Sequence, residues 1–205
     1  MQQIINLAGG RSILCSFHVH AAGATRTMNA CAADALQRPP EAVLQKFLST
    51  FRAADETKQG MCEAILNGTQ SVSQTRQDLA IWQNLFSRWA IDGKQGFYVD
   101  SGANHPVKLS NTWFFDKCLG WKGLCIEPNT RYHSALRAER TCTLVPECIS
   151  ANTEMLPFAM SGVVGHVTSG GGRTVQCNPL RAMLSRVNQK RCVRSWALHL
   201  HTPHT

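Results

Sequence analysis

Apolar residues between positions 38 and 92 recur three and four apart, the rhythm of helices that pack on one face. "RPPE" at 38 to 41 predicts a helix start just after the two prolines, because the fixed φ and missing N–H of proline suit a first turn. "EAVLQKFLSTF" then sets Val43, Leu44, Phe47, Leu48 and Phe51 on one side. A second helix is predicted after Asp55, stopping at the terminating pair Asn67-Gly68. In "SQTRQDLAIWQNLFSRW" a third carries Leu79, Ile81, Trp82, Leu85, Phe86 and Trp89 towards Gly93 and Gly96.

Beyond Gly96 the pattern changes to short apolar runs separated by helical stretches. "FYV" at 97 to 99 ends at Asp100, "NTWFFDKCLG" reads as helical, "GLCIE" at 123 to 127 is a second strand, "NTRYHSALRAER" a second helix, and "TLVPECI" at 143 to 149 a third strand. Strand and helix alternating in this way predict a parallel sheet built from crossovers, an α/β Rossmann-like fold with its ligand at the carboxyl ends of the strands. The expected organisation is a leader at 1 to 37, a helical extension at 38 to 92, an incomplete Rossmann-like domain at 93 to 198 and a tail at 199 to 205.

Composition narrows the function classes. With 205 residues, 43% hydrophobic and 17% charged, the chain can bury a core, and no apolar run approaches the roughly 18 residues that span a bilayer. The net charge of +8 comes from the two ends, since the segment between residues 34 and 154 balances 13 basic against 13 acidic residues. A phosphate-tracking groove is woven through a fold with stacking aromatics, so a nucleic-acid partner is not expected. The acid-free opening with Arg11, Arg26 and "SILCSF" is consistent with an organelle-targeting or secretory segment and equally with a disordered leader. Nine cysteines without a C-x-x-C pair speak against a zinc site and against a complete disulfide framework, and Cys125 and Cys148, in apolar surroundings, are expected as buried free thiols. Asn67-Gly68-Thr69 is a glycosylation sequon, which matters in a secreted chain.

The candidate chemistry lies at the strand ends. Gly102 follows Asp100 at the tip of the first strand, but Ala103, Asn104, His105, Pro106 and Val107 come next, so the second and third glycines of a dinucleotide loop are missing. Glu127 ends the next strand, where a carboxylate can accept hydrogen bonds from both hydroxyls of a ribose. One glycine and two strand-end acids suit S-adenosylmethionine, which has no phosphate and carries positive groups, better than NAD. Either acid alone is more often a helix cap.

The stretch "FYVDSGANHPVKLSNTWFFDKCLGWKGLCIEPN", with "SVSQTRQDLAIWQNLF" before it, resembles the core of the FkbM-type methyltransferases, well over residues 71 to 150 and weakly over 151 to 198. The resemblance implies a class I, S-adenosylmethionine-dependent methyltransferase acting on an oxygen of a sugar or another hydroxylated acceptor. It also implies that Asp100, Gly102, Ala103 and Asn104 form the cofactor loop and that Glu127 holds the ribose. Ser110, Asn111 and Thr112 would fix that loop, and Cys148, Ile149 and Ser150 would lie beside the adenine. No general base is assigned by it.

Two departures stand out. His105 replaces the acidic or glycine residue common in the family. Where the family continues into a fourth strand of the form D-x-x-x-L-D-V-E-G, this chain reads "RCVRSWALHLHTPHT", with His199 and His201 in place of the two acids. The expected consequence is an open sheet edge and a methyl-acceptor wall too incomplete for turnover. A truncated relative that binds cofactor without catalysis is therefore the alternative. The pairs His18/His20 and His199/His201 have no third ligand at recognisable spacing, so no metal is expected.

Overall fold

The computed structural model describes residues 3–7, 11–15, 39–160, 165–187 and 197–201. At the N terminus β1 (Gln3–Leu7) and β2 (Arg11–Cys15) pair antiparallel. Helix α1 (Glu41–Thr50) starts after Pro40, with Glu41 in the first turn to complement the N-terminal partial charge. It buries Leu44, and Phe51 is buried just beyond its end, whereas Val43 is exposed despite its place in the apolar pattern. Asp55 caps the next element through Oδ1, which accepts from the Thr57 N–H and hydroxyl at 3.2 and 2.6 Å. A short 3₁₀ turn leads into α2 (Gln59–Leu66), which stops at Asn67 with Gly68 at φ 70°. Helix α3 (Gln77–Ile81) runs through a π-helical turn, Trp82–Phe86, into α4 (Ser87–Ile91).

These helices cover one face of a parallel sheet through aromatic packing. Trp82 meets Phe114 edge-on at 6.1 Å, and Trp121 packs against Phe86 and Phe115 at 5.1 and 4.9 Å. The sheet contains β3 (Phe97–Ser101), β4 (Lys122–Ile126) and β5 (Thr143–Val145), all parallel. β3 connects to β4 through the π-helical turn Phe114–Cys118, and β4 to β5 through α5 (His133–Glu139). Side chains alternate as strand geometry demands: Tyr98 and Cys125 face the aromatic layer, while Phe97, Val99, Leu124 and Ile126 face the opposite core. Gly123 lies opposite Tyr98, and a Cβ there would collide with the phenol ring.

Two expectations need correction here. "TLVPECI" is not one strand: β5 ends at Val145, Pro146 cannot donate to a ladder, and β6 (Cys148–Ile149) joins a second sheet. That sheet, with β7 (Glu154–Ala159), β8 (His166–Val167) and β9 (Arg173–Asn178) in the order β6-β9-β7-β8, was not foreseen from the pattern. Helix α6 (Leu180–Val187) follows and places Met183 against the second face of the parallel sheet. β10 (Ala197–His201), within the "SWALHLH" segment read as the remains of a fourth strand, pairs parallel with β3, giving the order β10-β3-β4-β5. The result is an α/β fold whose parallel sheet is compatible with a Rossmann-like core. No helix among the described residues is long and apolar enough to cross a membrane.

The cysteine expectation is also overturned. Cys125 and Cys148 are not free thiols: the structure joins Cys62 to Cys118, Cys125 to Cys142 and Cys148 to Cys177. Cys148 and Cys177 are register partners on β6 and β9, so pairing depends on a sheet that sequence spacing does not reveal. Cys62–Cys118 ties α2 to the connection after β3 across 56 residues. In the chain-entropy model a loop of that length stabilises the fold by about 4 kcal/mol. Alkylation in denaturant without reductant, followed by peptide mapping, should leave these six cysteines unlabelled. The Cys62→Ser/Cys118→Ser variant should lose stability on that scale in urea unfolding; an unchanged midpoint would mean the bridge is absent or without effect.

Candidate functional site

A cleft of about 350 Å³ opens at the carboxyl ends of β3 and β4, with the second sheet as its far wall. Gly102, Asn104 and Glu127 line the near side, and Ile149, Phe158 and His166 the far side. The chain can turn sharply at Gly102 because its φ of 74° suits a residue without Cβ. Gly102 and Ala103 donate their N–H groups to the Ile126 carbonyl at 2.9 and 3.2 Å, and Asn104, at φ 46°, donates its side-chain N–H to the Gly102 carbonyl. The loop is thus latched to the end of β4 by its own backbone.

Glu127 sits at the centre of this arrangement and is only 3% exposed. Its Oε2 accepts from the Asn104 N–H at 2.8 Å and its Oε1 from the Asn129 N–H at 2.7 Å, so one carboxylate joins the two loops that border the cleft. Each oxygen keeps a second lone pair. Burial pushes the carboxyl above its ordinary value, the two backbone N–H groups opposing, with the nearby Asp100 carboxylate adding to the rise.

Asp100 is placed differently. Residues 98 and 100 share a strand face, so its carboxylate points with Tyr98 towards the helical layer. Asp100 Oδ2 accepts from the Thr112 hydroxyl at 2.6 Å and lies 3.6 Å from Arg140 Nη1. Burial raises its pKa against the pull of Arg140 and Thr112.

Arg140, which sequence reasoning did not single out, is the centre of that buried network. Nε donates to Asp116 Oδ2 at 2.7 Å, Nη1 to the Pro106 carbonyl and the Ser110 hydroxyl at 3.2 and 3.0 Å, and Nη2 to the Thr112 hydroxyl at 2.6 Å. Four of the five guanidinium N–H donors are thereby used. Asp116 Oδ2 also accepts from the Tyr98 hydroxyl, and the guanidinium carbon lies 5.3 Å from the centre of the Tyr98 ring. Burial alone would raise the Asp116 pKa, but Arg140, Thr141 and Tyr98 together hold it below the usual value. The only advance signal for this network was a basic residue at the end of a predicted helix.

Of the residues singled out for the site, Gly102, Asn104, Glu127, Cys148 and Ile149 line the cleft. Asp100, Ala103, Ser110, Asn111 and Thr112 are buried and do not line it, and Ser150 donates to the Asn152 carbonyl at the protein surface. Ser110 Oγ caps the turn that follows, accepting from the Trp113 N–H at 3.1 Å. Asn111 Oδ1 is buried without a partner among the described residues. His105 Nδ1 accepts from the N–H groups of Val107 and Lys108 at 3.2 and 2.9 Å, a turn-capping role. His18 and His20 lie outside the described residues, as do the side chains of His199 and His201; among the described residues no three ligating groups converge on a metal site. Comparison with family models, curated proteins and solved structures gave no match.

Two outcomes follow from these charges. Arg140→Met leaves Asp116 and Asp100 in the interior without their cation and should cost about 3–5 kcal/mol in urea unfolding, with Arg140→Lys recovering only part of it because an ammonium lacks the guanidinium fork; a loss under 1 kcal/mol would show the network to be incidental. For Glu127 the raised folded pKa means its stability contribution is fully present below the ordinary 4.5 and is lost as pH rises through the folded value. The stability of Glu127→Gln relative to the native chain should therefore improve as pH is raised above 4.5, and a difference that stays flat with pH would contradict this.

Proposed function

We propose that the chain binds S-adenosylmethionine in the cleft at the ends of β3 and β4 and belongs with the FkbM-type O-methyltransferases. The supporting observation is Glu127: a carboxylate at the tip of the central strand, fixed by two backbone N–H groups, on the wall of a cleft that also contains a glycine of positive φ. The donor set fits the group. Glu127 offers lone pairs to two neighbouring hydroxyls, Gly102 lets a ligand approach the backbone, and Ile149 with Phe158 supplies apolar surface for a flat base. Nothing in the loop repeats the glycines that a pyrophosphate requires, which disfavours NAD.

When bound, the cofactor supplies an electrophilic methyl group on a positively charged sulfur. The part left to the protein is orientation, and Glu127 would hold the nucleoside end while the loop from Gly102 to Asn104 borders the cofactor. Asp100 would act through the loop, since its carboxylate is engaged by Thr112 and Arg140. The acceptor class, a sugar or another hydroxylated molecule, comes from the family resemblance.

Binding without turnover is the second interpretation, supported by the commitment of one of the two strand-end acids to the interior. Calorimetric titration with S-adenosylmethionine, S-adenosylhomocysteine and NAD should show the first two binding more tightly than NAD; preference for NAD, or no binding of the adenosyl ligands, would remove the assignment. Glu127→Ala deletes two charge-assisted hydrogen bonds to the ribose, each worth roughly 1.5–3 kcal/mol, so affinity should fall at least tenfold with the circular dichroism spectrum retained. Methyl transfer to a panel of hydroxylated acceptors separates catalysis from binding alone.

A further inference from the structure

We propose that Asn67 carries an N-linked glycan. Two independent observations meet at this residue. The first is local: Asn67-Gly68-Thr69 has the acceptor spacing, its middle residue is not proline, and Asn67 and Thr69 are both exposed. The second is the state of the cysteines, since all six whose side chains are described are joined in disulfides, and such bonds persist where the surroundings are oxidising. In a eukaryotic cell the compartment that oxidises thiols is also the one in which N-glycans are added.

The geometry around the sequon leaves the acceptor amide available. Asn67 closes α2 with its backbone alone, donating its N–H to the Glu63 carbonyl at 2.9 Å, while Gly68 donates to Ile65 at 2.9 Å. Thr69 folds back with its N–H and hydroxyl on the Ala64 carbonyl, at 2.9 and 3.0 Å. The Asn67 carboxamide is not part of this capping and does not line the cleft. A glycan there would extend from the end of a helix anchored by Cys62–Cys118. Because Cys118 is synthesised well after Asn67, the sequon is available to the transferase before that bridge closes.

The step balances as a glycosyl transfer from a lipid pyrophosphate-linked oligosaccharide. A C–N bond forms between the carboxamide nitrogen and the anomeric carbon of the first sugar, the anomeric C–O bond breaks, the lipid pyrophosphate leaves, and the amide gives up one proton. The proposal does not depend on the methyltransferase assignment.

The test is expression of the full 205-residue chain in mammalian cells, followed by peptide-N-glycosidase treatment, gel mobility and peptide mass mapping. One discrete mobility step should disappear on digestion, with Asn67 converted to Asp. Asn67→Gln and Thr69→Val should run at the digested position, and Thr69→Ser, which keeps the acceptor pattern, should retain the step. Mobility unaffected by the glycosidase, or a step that survives Asn67→Gln, would overturn the proposal. Alkylation of the same samples checks that all variants still form their disulfides, so a loss of the step is not a loss of the fold.

Discussion

A single buried guanidinium organises the half of the molecule that carries the cleft. Arg140 is reached from β3 through Tyr98 and Asp100, from the turn after it through Pro106, Ser110 and Thr112, and from the connection to β4 through Asp116. Its side chain is fully buried, so the cost of desolvating the charge must be offset by these partners together. Removing water raises the strength of each bond and also the cost of leaving any of them unmade. The arrangement of the connection between β3 and β4 is thereby tied to the bonds that satisfy the cation.

That constraint decides which acid lines the cleft. Asp100 is drawn into the interior by strand alternation and by Arg140, whereas Glu127, one residue past β4, is free of the pleat and faces the cleft. The two strand-end carboxylates consequently have different tasks: one supports the loop and the other lines the cleft. Glu127 also holds both bordering loops, so the cleft wall and the loop geometry are physically joined at one carboxylate.

The far wall of the cleft is a separate construction. It comes from a mostly antiparallel sheet inserted after β5, joined across β6 and β9 by Cys148–Cys177 and held at its edge by the Arg186–Glu147 pair and the Asn178–Glu147 hydrogen bond. The helical layer on the other side of the parallel sheet is fixed by Cys62–Cys118 and by aromatic packing around Trp121. Disulfides thus tie both layers, and the β3–β4 connection is held twice, by Cys118 in the bridge to α2 and by the charge network around Arg140.

How much of this was legible in the chain follows the range of the interactions. The three N-terminal helices, the β3 and β4 segments, Gly102 at the turn and Glu127 at a strand tip were all readable, because periodicity, caps and breakers act over a few residues and leave a local trace. The disulfide pairing was not readable, since 56, 17 and 29 residues separate the partners and only the assembled layers bring them together. The second sheet escaped notice because Pro146 and short strands hide the break in an apolar run, and its pairing is non-local. Arg140 looked like an ordinary charge near a helix end; tertiary packing alone buried it among two carboxylates and a phenol. By itself the sequence determined the helical segments before Gly96, the β3 and β4 segments and which chemical groups stand at their tips. Only the tertiary structure decided which of those groups turn inward and which face the cleft, because burial and pairing of charge depend on residues far apart along the chain.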